Sequence, residues 1–156
     1  MNETILVTGA TGTVGSEVVK QLSGDASSYN IKAGVHSIEN AKRVQQYDRG
    51  KAVRIDYDKQ EGLEASFKDA DKLFLLTHPS SKSAEHESNL VTEAKKSGIK
   101  HIVKQSIMGA DLGADVEAMR LHRQTEKLIE ELRIPYTFVS ERGTGRLQGN
   151  FQSPIP

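Results

Sequence analysis

Three glycines near the amino terminus are the residues whose spacing best suggests chemistry. Gly9, Gly12 and Gly15 stand three residues apart within Thr4–Gly15, which reads TILVTGATGTVG. In a dinucleotide-binding turn the first glycine lets the chain bend sharply off a strand and the second lets backbone approach a pyrophosphate. The third lets the following helix pack close to the sheet. The intervening Ala10, Thr11, Thr13 and Val14 belong to the same turn, where the unpaired N–H groups and positive end of a helix favour phosphate. Glycines so spaced also occur in an ordinary strand-to-helix turn, and context separates the two readings. Here the apolar run Ile5, Leu6, Val7 precedes the turn, and Val14, Val18, Val19 and Leu22 follow it at helical spacing. Strand, glycine turn and helix in that order point to a bound nucleotide.

The elements that must hold such a turn alternate along the chain. Short apolar runs predict strands over Ile31–Val35, Ala52–Ile55, Lys72–Thr77, His101–Ser106 and Tyr136–Val139. Between them, helical periodicity predicts Glu39–Tyr47, Gln60–Phe67, Ser83–Ser97 with Gly98 as its C-terminal cap, and Val116–Leu132. Strands separated by helices require a parallel sheet with right-handed crossovers. The expected fold is α/β, a Rossmann-type doubly wound parallel sheet ordered 3-2-1-4-5-6 with helices on both faces. Ligands in such sheets bind at the carboxyl ends of the strands near the switch in strand order. That rule selects Gly9 to Gly15, His36, Asp56, Thr77 with His78, and Ser106 onward.

Each of these places carries its own implication. An acid at the end of strand two would favour NAD by accepting from the adenosine ribose. This chain has Val35, His36 and Ser37 there, followed by Lys42 and Arg43, which tilts the expectation towards a 2′-phosphate and NADP, with NAD as the alternative. Lys42 and Arg43 read equally well as a solvated helix face. Asp56 is placed to accept from an adenine amino group with Tyr57 beside the ring, or else to shape a turn. Thr77, His78 and Pro79 close strand four near the cofactor. The five histidines form no HxH or HExxH pattern and the chain has no cysteine, so no metal site and no thiolate chemistry are expected. No GxSxG nucleophile turn is present either.

Composition narrows the remaining classes. A chain of 156 residues suits one domain with a real core. Its 21 basic and 21 acidic side chains cancel, so direct binding to nucleic acid or to an anionic membrane is not expected. The opening MNETILVTG lacks the basic flank and apolar stretch of a signal peptide, and runs such as Leu73–Leu76 are too short to span a bilayer. The expectation is a soluble cytoplasmic protein.

The stretches GATGTVGSEVVKQL, DADKLFLLTHP, AKKSGIKHIVKQSIMGA and HRQTEKLIEELRIPYTFV together resemble the NmrA-like family, an atypical branch of the short-chain dehydrogenase/reductase superfamily. The resemblance covers Thr4 to about Val139. It implies NAD(P) bound at Gly9 to Val14, around His36, at Asp56 and Tyr57, and at Leu76, Thr77 and His78. It also implies NAD(P)H-dependent reduction of quinones or azo dyes, or cofactor sensing. Short-chain dehydrogenases place a Tyr and, four residues later, a Lys before the last strand. Here Ala118 and His122, or His122 and Glu126, fall in those positions. His122 is the candidate catalytic residue, as a ribose ligand or proton donor, unless it is simply a helix histidine among charged neighbours.

The family continues beyond the sixth strand with a substrate region about as long again. This chain instead reads SERGTGRLQGNFQSPIP, so a domain of residues 1–140 and a flexible tail over 141–156 are expected, with the substrate region mostly lacking. An open nicotinamide side would expose apolar surface that invites association. The leading expectation is an NAD(P)H-dependent oxidoreductase acting on a quinone-like acceptor. A non-catalytic NAD(P) sensor or regulatory binding protein and an incomplete family fragment are the alternatives. The partners expected are a small-molecule acceptor and either a second copy of the chain or a regulatory protein.

Overall fold

The computed structural model describes residues 2–24, 28–47, 50–142 and 146–147. Strands β1 (Thr4–Val7), β2 (Asn30–Val35), β3 (Gly50–Arg54), β4 (Lys72–Leu75), β5 (His101–Ile107) and β6 (Tyr136–Arg142) form one parallel sheet. Its order is β3-β2-β1-β4-β5-β6, continued by β7 (Arg146–Leu147), which pairs antiparallel with β6. Helices α1 (Thr13–Gly24), α2 (Ile38–Gln45), α3 (Leu63–Phe67), α4 (Ser83–Lys96) and α5 (Glu117–Glu131) provide the crossovers. The expected doubly wound topology is the observed one.

Strand pleating divides the apolar residues between two cores. Leu6, Leu73, Leu75, Ile102 and Phe138 face α3, α4 and α5, where they meet Phe67, Leu90, Val91 and Ile129. Val7, Ala33 and Val35 face α1 and α2 and meet Val19, Ala41 and Val44. Neighbouring residues of one strand therefore serve different cores, as period-two geometry requires. That is why β1 is apolar from Ile5 to Val7.

Element boundaries depart from the expectations where side chains compete with the backbone. The strand expected over Lys72–Thr77 ends at Leu75, because the Thr8 hydroxyl accepts from the Leu76 amide at 2.9 Å and takes over the ladder position. The helix expected over Gln60–Phe67 divides into a 3₁₀ turn at Gln60–Gly62 and the short α3. Helix α4 ends at Lys96 with Ser97 as its C-cap, and Gly98 behind it takes a φ of +74° while the Ile99 amide reaches back to Ala94 O at 3.0 Å.

The sixth strand, expected to end at Val139, runs to Arg142. Strand β5 extends to Ile107 and offers Ser106 and Ile107 as ladder partners to Ser140 and Glu141. Part of the stretch expected as a tail, Glu141–Arg142 and Arg146–Leu147, is therefore paired strand. The rest of that expectation, residues 143–145 and 148–156, lies outside the described residues.

On the α1 side of the sheet an apolar trough of ≈ 670 Å³ runs beside the helix, where Ile5, Val18 and Leu22 stand opposite Phe74 and Val103.

Leu90 is fully buried between α4 and the sheet. Truncating it to alanine is expected to lower the unfolding free energy by about 2–5 kcal/mol, read from the midpoint of a urea titration followed by circular dichroism.

Candidate functional site

The carboxyl ends of β1, β2 and β4 surround a cleft of ≈ 400 Å³. Its near wall is the turn between β1 and α1. Gly9 has a φ of +61°, and a Cβ there would lie 2.8 Å from Leu76 O. A Cβ on Gly15 would lie only 2.0 Å from Gly9 O, so α1 can start this close to the strand only with glycine at that position. Gly12 differs, since a Cβ there would meet nothing closer than Gly9 O at 3.4 Å and would otherwise project into space. Thr11, Gly12, Thr13 and Val14 line the cleft, whereas Ala10 and Gly15 are buried behind it. The Ala10 amide donates to Gly34 O at 3.3 Å and ties the turn to β2.

The floor and far wall come from three other strand ends. Gly34 was not singled out from sequence. A side chain there would collide with Ile55 Cδ1 at 2.6 Å and Val7 O at 3.0 Å, so bare backbone forms the floor. Buried Thr8, also not anticipated, bonds the Leu76 amide and carbonyl through its hydroxyl, at 2.9 and 2.8 Å. This clamps the end of β4 to the turn. Tyr57 reaches back across the cleft to accept from the Gly9 amide at 3.0 Å. Burial raises its phenol pKa, so it stays neutral.

His36, exposed at the end of β2, donates through Nδ1 to Ile55 O at 3.2 Å and lies 5.4 Å from the Tyr57 ring. Asn40 on α2 joins the same wall. Lys42 and Arg43 are exposed and lie beyond it, which fits the solvated-face reading. Asp56 accepts from the Asp58 amide at 3.1 Å, the turn-forming alternative for this residue, and stands outside the cleft lining.

Leu76, Thr77, His78 and Pro79 complete the first cleft, and Thr77 and Pro79 also border a second one of ≈ 400 Å³. The second cleft lies between α4 and α5 and takes Glu87, Leu121 and His122 into its wall. Beneath it, Lys104 of β5 is completely buried. Its ammonium donates to Glu87 Oε2 at 2.9 Å, Gln105 O at 3.2 Å and His122 Nδ1 at 3.2 Å. The other Glu87 oxygen accepts from Thr77 Oγ1 at 2.9 Å.

Burial alone would push the Glu87 carboxyl up; the Lys104 ammonium, aided by a hydrogen bond from Thr125, outweighs that and holds it below its ordinary value. His122 is lowered as well, to about 4, by burial and then by the Lys104 charge, against a smaller opposing pull from Glu87. His122 is therefore neutral at ordinary pH and cannot serve there as a stored acid, although it can still offer a hydrogen bond. Ser106 does not reach either cleft; it is buried and donates to Glu126 of α5. Lys104 and Glu87 escaped sequence reading, yet Lys104 occupies the same strand face as Ile102, where an apolar residue is the norm.

The first cleft fits an extended, phosphate-bridged ligand. It combines a glycine cradle, the start of a twelve-residue helix and an aromatic–imidazole pair at one end. Among the described residues no group of three or more His, Asp or Glu could hold a metal ion. No helix among them is long and apolar enough to cross a membrane.

Gly15→Ala is expected to destabilise the protein by about 1–3 kcal/mol by forcing α1 off the turn, measured as a fall in urea midpoint. The His122 shift has a pH signature. Because the folded state lowers this pKa, the unfolded chain binds more protons between about 6.5 and about 4, so stability falls as pH drops through that window. His122→Asn is expected to flatten this fall. Melting temperatures of the two proteins, compared from about pH 7 to about 4.5, provide the check.

The model of the NmrA-like family matches residues 1–156. An NAD(P)H azoreductase of Xenophilus azovorans is 31% identical over 136 residues, 86% of this chain and 46% of the relative. Among solved structures, the Citrobacter sp. triphenylmethane reductase complexed with NADP(H) superposes with a TM-score of 0.78 at 29% identity, over 88% of this chain and 49% of that one. An NADPH-dependent quinone oxidoreductase of Escherichia coli, complexed with NADPH, gives a TM-score of 0.80 at 26% identity, over 88% and 48%. The chain spans about half the length of the relatives it matches. It belongs to the NmrA-like family.

Proposed function

We propose that residues 1–140 are an NAD(P)-binding domain, with NADP preferred, that delivers hydride to a quinone-like or other conjugated acceptor. The observation that carries this reading is the pair of clefts sharing Thr77 and Pro79, one built for a dinucleotide and the other open beside it. Membership of a family with reductase relatives agrees with it, as do the NADP(H) and NADPH in two similar structures.

In this reading the backbone from Gly9 to Val14 receives the pyrophosphate and Tyr57 with His36 flanks the adenosine end. His36 and Asn40, with no acid at the end of β2, leave room for a 2′-phosphate. Leu76, Thr77 and His78 lead the nicotinamide to the border of the second cleft, where the acceptor lies against Leu121 and His122. A reduced nicotinamide bound there supplies a hydride, and the acceptor completes its two-electron reduction with one proton from water. The chain's own contribution is then proximity and alignment, which suffice for a flat conjugated acceptor.

Purified protein is expected to oxidise NADPH on addition of menadione, followed by absorbance. Binding of NADPH with no turnover on menadione or an azo dye would overturn the catalytic part and leave a cofactor sensor as the better reading.

Gly12→Ala should fold normally, because its methyl group meets only Gly9 O at 3.4 Å. That methyl would stand where the pyrophosphate approaches. NADPH at about 100 times its Kd should stabilise the parent protein by roughly 2.7 kcal/mol. The variant should lose most of the corresponding thermal shift, and an unchanged shift would remove the phosphate from this turn.

A further inference from the structure

Buried charge is concentrated behind the second cleft. Lys104 has no solvent exposure and Glu87 only 5%. The three ammonium protons of Lys104 meet three acceptors, Glu87 Oε2, Gln105 O and His122 Nδ1. Glu87 is held in turn by Thr77 from one side and Thr125 from another. An ion pair so far from water is seldom the most stable filling for such a space, since well-packed apolar side chains do as well or better. The contact such a filling could not make is the one to the imidazole. A cation behind Nδ1 forbids a hydrogen on that nitrogen and opposes a second positive charge on the ring.

We propose that Lys104 is a positioning residue which, clamped by Glu87, holds His122 as the neutral imidazole bearing its hydrogen on Nε2, so that the ring offers a fixed hydrogen-bond donor to the acceptor in the second cleft. The inference rests on the proposed hydride transfer and adds the groups that meet the acceptor. As hydride adds to a conjugated acceptor, an electronegative atom of that acceptor gains the electron pair displaced from its π bond. Nε2–H donates to that atom and keeps its own proton, while water supplies the single proton that completes the reduction. The donor works without becoming protonated, so it is present across the neutral range.

The surroundings agree with this role. Among the groups facing the ring from neighbouring elements, Lys104 lies on β5, Glu87 on α4, and Thr125 one turn further along α5, while Glu117 stands on the cleft wall. Arg123, next in sequence, is engaged by Glu126 at 3.0 Å and Glu130 at 2.9 Å on another side of α5. Thr77 belongs to the same network through Glu87, so the shared wall of the two clefts and the donor are fixed by one buried pair.

Two-bond ¹⁵N–¹H correlation spectra of histidine-labelled protein, with His122 assigned by comparison with His122→Gln, test the geometry without any turnover. The expected result is an Nε2–H tautomer down to about pH 5. An Nδ1–H tautomer, or titration near the ordinary value of about 6.5, would overturn the proposal. The double variant Lys104→Met/Glu87→Gln removes both charges together and leaves no lone buried ion, and a cooperative melt establishes that it folds. In it the His122 proton affinity should rise at least about tenfold and the tautomers should mix. An unchanged spectrum in the folded variant would also overturn the proposal.

With NADP⁺ present, menadione should shift the His122 Nε2 resonance of the parent protein. The double variant should lose about tenfold in kcat/KM for menadione at saturating NADPH, and its rate should acquire a pH dependence at mildly acidic pH. A variant with an altered tautomer and unaltered turnover would overturn the role of Lys104. An Nε2–H tautomer in a protein that transfers no hydride would instead overturn the proposed reaction.

Discussion

The structure depends on one close approach, that of α1 to the turn before it. A Cβ on Gly15 would lie 2.0 Å from the Gly9 carbonyl oxygen, and a Cβ on Gly9 would lie 2.8 Å from the carbonyl of Leu76. These distances are tolerable only because two hydrogen atoms stand where methyl groups would be. From them follow the direction of α1, the seating of Val19 against Val7 and Ala33, and the opening of the first cleft at the helix start. The Thr8 hydroxyl then binds the end of β4 to the same turn, so the ends of β1 and β4 that frame the cleft are held together.

Polarity in the second cleft is arranged differently. The first cleft is shaped mainly by backbone and small residues. The second is backed by a satisfied ion pair whose partners come from β5 and α4, with His122 of α5 leaning on it. Removing any one partner would leave an uncompensated buried group, which is costly. Thr77 belongs to both clefts, bordering each and donating to Glu87. A ligand that moved Thr77 in the first cleft would therefore disturb the charges behind the second.

Most of the first cleft was legible in the sequence because local rules dictate it. Glycines at Gly9, Gly12 and Gly15 after an apolar run leave few alternatives for backbone geometry, and strand ends in a doubly wound sheet converge by topology. Hence Thr11, His36, Tyr57, Leu76 and His78 do line one cleft. Asp56 and Ser106 also follow strands β3 and β5 or lie at their ends, yet one shapes a turn and the other is buried against Glu126. Side-chain direction, rather than position along the strand, separates them from the rest. Gly34 was overlooked since nothing in its neighbourhood along the chain signals the approach of Ile55 and Val7.

By itself the sequence determined the alternation of strands and helices, the order of the sheet and the turn that opens the first cleft. Each follows from periodicity and from conformational limits acting over a few residues. Tertiary structure alone decided the chemistry behind the second cleft. Lys104 and Glu87 are seventeen residues apart, and Lys104 and His122 eighteen. In sequence Lys104 and Glu87 read as ordinary charged residues among others. Only their burial together, in a space where each charge must find a partner, brings a strand lysine against the ring nitrogen of a helix histidine.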